Sequence, residues 1–126
     1  MSGKHILLVE DDQALARMYG KILAYYGFTV EYASTVKETL AILKEHSPDI
    51  VCLDWQLGHE TSRPILEYLS LAPQLPQPAV MIVSGGEVYT EIAAFSSLIQ
   101  VYLQKPLLGK ELVRHAARLS LPTAIR

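Results

Sequence analysis

The segment His5-Ile6-Leu7-Leu8-Val9-Glu10-Asp11-Asp12 sets an unbroken apolar run directly against three acids. A short apolar run without polar alternation reads as a strand buried on both faces. Three consecutive carboxylates cannot follow it inward, so the strand ends at Val9. The same grammar recurs along the chain. Ile50–Leu53 is a buried strand stopped by Asp54, and Ala79–Val83 is another, stopped by Ser84-Gly85-Gly86. Val101–Leu103 is a short strand that runs toward Lys105-Pro106, and Phe28–Ala33 alternates as a strand does.

Helix-period stretches fill the gaps. Leu15, Met18, Tyr19, Ile22, Leu23 and Tyr26 recur at three- and four-residue steps and make one apolar helix face. Gly27 follows as a stop that can turn left-handed. Thr35-Val36-Lys37-Glu38 is a capping-box signature, opening a helix with Val36, Leu40 and Leu43 inward, which Pro48 ends. Gly58–Ser62 is loop-like, and Pro64 suits the first turn of a helix through Leu71. Pro73, Pro76 and Pro78 mark the next connection. Further helices are expected over Glu87–Leu98 and Gly109–Leu119.

Five strands alternating with five helices predict an α/β fold. It has three layers: a five-stranded parallel sheet in 2-1-3-4-5 order, with helices on both faces. The 126 residues fit one domain, 1–126, and 50% apolar against 19% charged residues excludes a disordered tail. Eleven basic and 13 acidic residues give a net charge of −2, which argues against direct nucleic-acid binding through phosphate neutralisation. A single cysteine, Cys52, precludes an internal disulfide and reads as an inert core thiol. The apolar runs are too short for a membrane span and the N-terminus does not resemble a signal peptide, so a cytoplasmic protein is expected.

The polar residues that stop the strands carry the chemistry. Open parallel sheets bind ligands beyond the carboxyl ends of their strands, near the point where strand order reverses. Strands one and three flank that point, so Glu10, Asp11 and Asp54 should converge, with Ser84 and Lys105 closing the other side. Two like charges about 4 Å apart repel by about 4 kcal/mol at an effective dielectric of about 20. Three carboxylates therefore need counter-charge. Lys105 supplies one positive charge and a divalent cation would supply the rest, Mg²⁺ being the ion held by few carboxylates plus water. Asp54 would then be a carboxylate nucleophile beside a metal, a lysine and a hydroxyl donor, the parts needed to accept a phosphoryl group.

Ile6-Leu-Leu-Val-Glu-Asp-Asp12, Val51-Cys-Leu-Asp-Trp-Gln-Leu57, Met81-Ile-Val-Ser84 and Val101-Tyr-Leu-Gln-Lys-Pro106 together resemble the receiver domains of two-component response regulators. The order and spacing match too, with 30 positions from Asp54 to Ser84 and 21 on to Lys105. The resemblance implies that Asp54 is the phosphorylated aspartate. It implies that Asp11 binds Mg²⁺ directly, Glu10 through water, and Gln56 through its backbone carbonyl. Ser84 matches the switch hydroxyl, Tyr102 the switch aromatic, and Lys105 the lysine that pairs with the phosphoryl group, followed by a proline (Pro106) often joined by a cis bond. The implied donor is a sensor histidine kinase or a histidine phosphotransfer protein. The implied output is a changed surface on helix four, strand five and helix five, read by a partner or by a second copy in a homodimer.

Competing expectations are a pseudo-receiver that keeps the fold but takes no phosphate, and a small flavodoxin-like or phosphatase enzyme. Gly58 stands where the family usually has proline, Ser62 where glycine is common, and Leu98-Ile99 where Gly-Ala is usual. Trp55 is expected as a lid over the pocket edge and His59 as a solvated loop residue. Val88, Tyr89, Ile92 and Phe95 make helix four more apolar than one core-facing stripe requires, which suggests a partner surface. Lys110, Arg114 and Arg118 form a basic stripe on the last helix, a solvated face or a dock for an acidic partner.

Overall fold

The computed structural model describes residues 4–71, 77–86 and 88–122, and of Tyr89 the backbone alone. Pro73, Pro76, Glu87 and the first three residues, on which some of the expectations above rest, lie outside the described residues. The strands are β1 His5–Val9, β2 Thr29–Ala33, β3 Ile50–Asp54, β4 Ala79–Ser84 and β5 Ile99–Gln104. All four strand pairings are parallel, and the order is β2-β1-β3-β4-β5, as the alternating pattern predicts. A two-residue antiparallel ribbon, Gln56–Leu57 with Glu60–Thr61, projects from the end of β3.

The helices are α1 Gln13–Tyr25, α2 Val36–Glu45, α3 Arg63–Leu71, α4 Tyr89–Ile92 and α5 Gly109–Leu119. Period-two alternation splits the core in two. Ile6 and Leu8, with Cys52 and Met81, face the layer that holds Tyr19, Leu23, Leu112 and Ala116 of α1 and α5. Leu7 and Val9, with Val51 and Leu53, face Leu43, Ile65 and Ile92 of α2, α3 and α4. Every residue of β3 and β4 is buried, because each strand has two neighbours and a helix layer on either side.

Capping explains where the helices begin. Asp12 accepts from the Leu15 N–H at 3.1 Å and starts α1. Thr35 accepts from the Glu38 N–H at 3.0 Å and starts α2, and the Glu38 carboxylate reaches back to the Ser34 N–H at 2.7 Å, so the box extends one residue before the cap. Gly27 takes φ +98° just after α1, as its position predicts.

Several expectations need correction. Helix four is one turn, Tyr89–Ile92, continued as a 3₁₀ turn over Ala93–Phe95, not a helix to Leu98. Val88 occupies its cap position with a hydrocarbon side chain, which makes no capping hydrogen bond. Val88, Ile92 and Phe95 are buried: a helix this short spends its apolar residues on the core, and none remains from them for a partner surface. The strand β5 starts at Ile99, two residues before the expected Val101, because a bulge absorbs Gln100 between the Ile99–Val80 and Val101–Met81 pairs. Tyr26 and Met18 are exposed instead of lying on the apolar face of α1; the helix ends at Tyr25, and Ala16 and Gly20 take the inward places. Among the described residues no helix is long and apolar enough to cross a membrane.

Candidate functional site

Three strand ends deliver the acids. Val9 is the last residue of β1 paired with both neighbours, and the Glu10 N–H still donates to the Ala33 carbonyl at 3.0 Å. Glu10 is thus held by the sheet while its side chain turns to the edge. Asp54 ends β3 opposite Val83. A carboxylate oxygen from each of Glu10, Asp11 and Asp54 lies within 4.8 Å of the others, with Glu10 and Asp54 buried and Asp11 exposed. The Lys105 ammonium donates to Asp54 Oδ2 at 3.0 Å and to Glu10 Oε1 at 3.3 Å. Its backbone is fixed by the Lys105 N–H donating to the Ser84 carbonyl at 2.8 Å, and the Lys105–Pro106 bond is cis.

The charges are unbalanced: three carboxylates meet one ammonium. Burial, then the negative charge of Asp54, pushes the Glu10 carboxyl up from 4.5 to about 7. Burial by itself would pull Lys105 down, but the hydrogen bond and charge of Asp54, followed by Glu10, outweigh it and hold Lys105 above its ordinary value. Lys105 therefore stays charged at neutral pH, while Glu10 sits at its midpoint without further positive charge.

The loop after β3 orients this cluster in ways the sequence reading did not assign. The Gly58 N–H donates to Asp11 Oδ2 at 2.9 Å, and Gly58 has φ +63°. Proline, the family's usual residue here, has no N–H to give and cannot adopt that φ. The fully buried Ser62 hydroxyl donates to the backbone carbonyl of Asp54, a bond that glycine at this position could not make. The departures at these two positions were the available signal. Gln56 is exposed beside the cluster, and its amide donates to the carbonyls of Gly58 at 2.8 Å and Glu60 at 3.2 Å, closing the ribbon's turn.

Ser84 and Tyr102 meet at one residue. The Ser84 hydroxyl donates to the Gly86 carbonyl and accepts from the Gly86 N–H, both at 3.2 Å, and the Tyr102 hydroxyl donates to the same carbonyl at 2.8 Å. Ser84 is buried at the end of β4, one residue beyond the partner of Asp54. Trp55 is not a lid. It is 4% exposed, its N–H donates to Val83 at 2.8 Å, and its ring packs with Leu57 and Ile65 in the α2–α3 layer. The alternation that points Asp54 toward the edge sends the next side chain into the core. His59 is exposed, as are Lys110, Arg114 and Arg118. Cys52 is buried, and burial pushes its thiol up to about 12, which keeps it inert.

Residues 6–117 match the family described as the response regulator receiver domain. The chain belongs to that family. Among similar curated proteins, the phosphate regulon transcriptional regulatory protein PhoB of Pseudomonas aeruginosa is 28% identical over 120 residues, covering 90% of this chain and 50% of that protein. The photosynthetic apparatus regulatory protein RegA of Rhodobacter capsulatus is 28% identical over 106 residues, covering 83% of this chain and 56% of its own. The chain thus spans about half the length of the curated relatives it matches. Among solved structures, a signal receiver domain from Bermanella marisrubri superposes with a TM-score of 0.83 at 26% identity, covering 95% of this chain and all of that one. A CheY-like receiver domain from Methylobacillus flagellatus gives 0.80 at 24% identity over 94% and 99% of the two chains. As a receiver, the chain is a signalling-switch domain of two-component systems, in a family that is not enzymatic in the ordinary sense.

Proposed function

We propose that this receiver, a single domain over residues 1–126, accepts a phosphoryl group on Asp54 and uses it to reset the surface around β5 and α5. The observation that carries the reading is the Lys105 ammonium 3.0 Å from Asp54 inside a cluster with two further carboxylates. The donor set is all oxygen and carries excess negative charge, which suits a hard divalent cation such as Mg²⁺ and not a soft one. Asp11, Asp54 and the backbone carbonyl of Gln56 would hold it directly and Glu10 through water. When bound, Mg²⁺ supplies the positive charge that phosphoryl oxygens and three carboxylates together require.

A carboxylate oxygen of Asp54 attacks the phosphorus of a phosphohistidine on a sensor kinase or phosphotransfer protein. The new oxygen–phosphorus bond forms as the nitrogen–phosphorus bond breaks, and that electron pair returns to the imidazole. Lys105 holds the Asp54 carboxylate in place and neutralises charge on the incoming oxygens. Ser84 offers its hydroxyl proton to one of those oxygens and withdraws it from Gly86, which leaves the Tyr102 hydroxyl still donating to that carbonyl. A shift of Tyr102 then alters the face formed by α4, β5 and α5. Lys110, Arg114 and Arg118 are exposed along α5 and would suit an acidic partner, and a homodimer through the α4–β5–α5 face is the alternative output.

Mass spectrometry of protein treated with acetyl phosphate tests this. A single Mg²⁺-dependent phosphoryl adduct is expected on the wild type and none on Asp54→Asn. An unmodified wild type, under conditions where Mg²⁺ binding is demonstrated, would establish the pseudo-receiver instead.

A further inference from the structure

At the opposite end of the sheet from the acidic cluster lies a second group of ligating side chains. His5 opens β1, Glu31 is the middle residue of β2, and His46 is the residue on which α2 ends. The register pairs His5 with Thr29 and Leu7 with Glu31, so His5 and Glu31 are diagonal neighbours on one face. That is the face α2 covers, and the cap of α2 brings His46 onto it. Nε2 of His5 lies 3.0 Å from Glu31 Oε1, and Nε2 of His46 lies 2.8 Å from the same oxygen. The rings are tilted by 55° with centroids 5.3 Å apart, and their nitrogens and the Glu31 oxygen lie within 4.8 Å of one another.

The backbone under this group is fixed. The His5 N–H donates to Asp49 Oδ2 at 2.8 Å and the Asp49 N–H donates to the His5 carbonyl at 2.9 Å. The connection that carries His46 is therefore clamped to the start of β1. The three side chains are 34%, 31% and 42% exposed, which leaves the convergence point open to solvent.

Two imidazole nitrogens and a carboxylate oxygen within 4.8 Å of one another form a ligand set for a borderline transition metal. A tetrahedral ion with bonds of about 2.0–2.1 Å sets its ligand atoms about 3.3 Å apart. The two nitrogen–oxygen distances need to open by about 0.3–0.5 Å to reach that, and the two nitrogens, already within 4.8 Å, need to settle at the same spacing, movements within the freedom of half-exposed side chains. Mg²⁺ disfavours such nitrogen donors, so the two ends of the sheet select different ions.

We propose that His5, Glu31 and His46 form a Zn²⁺ site, with water completing the shell, that ties the start of β1 to β2 and to the end of α2. The proposal goes beyond the phosphoryl-transfer reading and shares no residue with it.

The test is a Zn²⁺ titration of the EDTA-stripped full chain against a chromophoric chelator, with millimolar Mg²⁺ present to occupy the acidic cluster. Co²⁺ substitution supplies a visible spectrum as a second readout. Saturable binding of one equivalent is expected, with the intense visible bands of a low-coordinate Co²⁺ centre. His46→Ala and Glu31→Gln should each weaken binding at least about tenfold with circular dichroism unchanged, whereas His115→Ala should bind as the wild type does. His46 follows the end of a helix and is exposed, so its variant keeps the test open if Glu31→Gln fails to fold. Absence of saturable binding, or a wild-type affinity in His46→Ala, would overturn the assignment and leave a hydrogen-bonded triad only.

Discussion

Replacing Glu10 with glutamine should stabilise the metal-free protein above neutral pH. In the folded chain burial, reinforced by the charge of Asp54, raises the Glu10 carboxyl from 4.5 to about 7. Below 4.5 the group is protonated whether or not the chain is folded, and it contributes no pH dependence. Between 4.5 and 7 only the folded state keeps the proton, so the stability this group provides is present at acid pH and is lost as pH rises through about 7. A separation of that size corresponds to about 3 kcal/mol of stability. Glutamine carries no charge, and its carbonyl can still accept from Lys105 or from the Asp12 N–H, so the variant should escape most of that loss. Urea unfolding in the presence of a chelator, from pH 5 to pH 8, measures it. Groups outside the cluster titrate alike in both proteins, so the difference between the two stability curves isolates the cluster's response to the Glu10 charge. The curves should diverge with rising pH until the variant leads by about 1–3 kcal/mol. Added Mg²⁺ should raise wild-type stability at pH 8 and close the gap, since an ion that binds only the folded state stabilises it by mass action. Parallel curves, or a variant that is the weaker protein at pH 8, would refute the electrostatic account of the cluster.

Ser62→Ala should cost about 1–2 kcal/mol in urea unfolding with an unchanged denaturant slope, because it strips the Asp54 carbonyl of a buried donor; an unchanged midpoint would show that the bond contributes nothing. Gly58→Pro should lower Mg²⁺ affinity measured by calorimetry, since it removes the N–H that orients Asp11 and forbids φ +63°; equal affinity would mean that Asp11 needs no such support. Lys105→Ala should bind Mg²⁺ within a few-fold of wild type yet show no change in Tyr102 resonances on adding beryllofluoride, and a wild-type response would remove Lys105 from the switch. Cys52 should react with a thiol reagent only as fast as the protein unfolds, given its burial and a thiol pushed up to about 12; rapid labelling under native conditions would contradict the core packing.

Strand positions were legible because a parallel sheet covered on both sides demands near-continuous apolar runs, and Ile6–Val9, Ile50–Leu53 and Ala79–Val83 have few other uses. The acids and the lysine at the strand ends were legible for a related reason: a charge directly after such a run has to sit at the sheet edge. Helix four was not. Its apolar spacing fits a helix of any length, and what shortens it is the absence of a capping side chain at Val88 together with the demand of the β4–β5 core for Ile92 and Phe95. Adjacency in sequence to Asp54 does not bring Trp55 to the site, because neighbouring side chains leave a strand in opposite directions. The loop contacts of Gly58 and Ser62 depend on backbone atoms, which carry no sequence signature of their own. Only the mismatch with the family's usual residues pointed to them.

That mismatch bears on how the switch is held. A loop with proline after β3 would be stiffened by its ring; here Gly58 gives up that stiffness and offers its N–H to Asp11, while Gln56 and Ser62 fasten the ribbon on either side. The acidic cluster thereby gains a neutral donor as well as the ammonium of Lys105, which eases crowding that one lysine cannot offset. Glu10, buried against the sheet beside Asp54, is the carboxyl that burial and its neighbour's charge push upward. On the other side of Asp54 the Ser84 hydroxyl has one proton to give, and Gly86 now receives it. On the proposed reading a phosphoryl oxygen would compete for that same proton, and because Tyr102 donates to the same Gly86 carbonyl, the loss of one hydrogen bond there would be passed to Tyr102. On the proposed reading, fixed geometry around the acids and a single contested proton at Ser84 would together convert a local charge into a change that a partner can read.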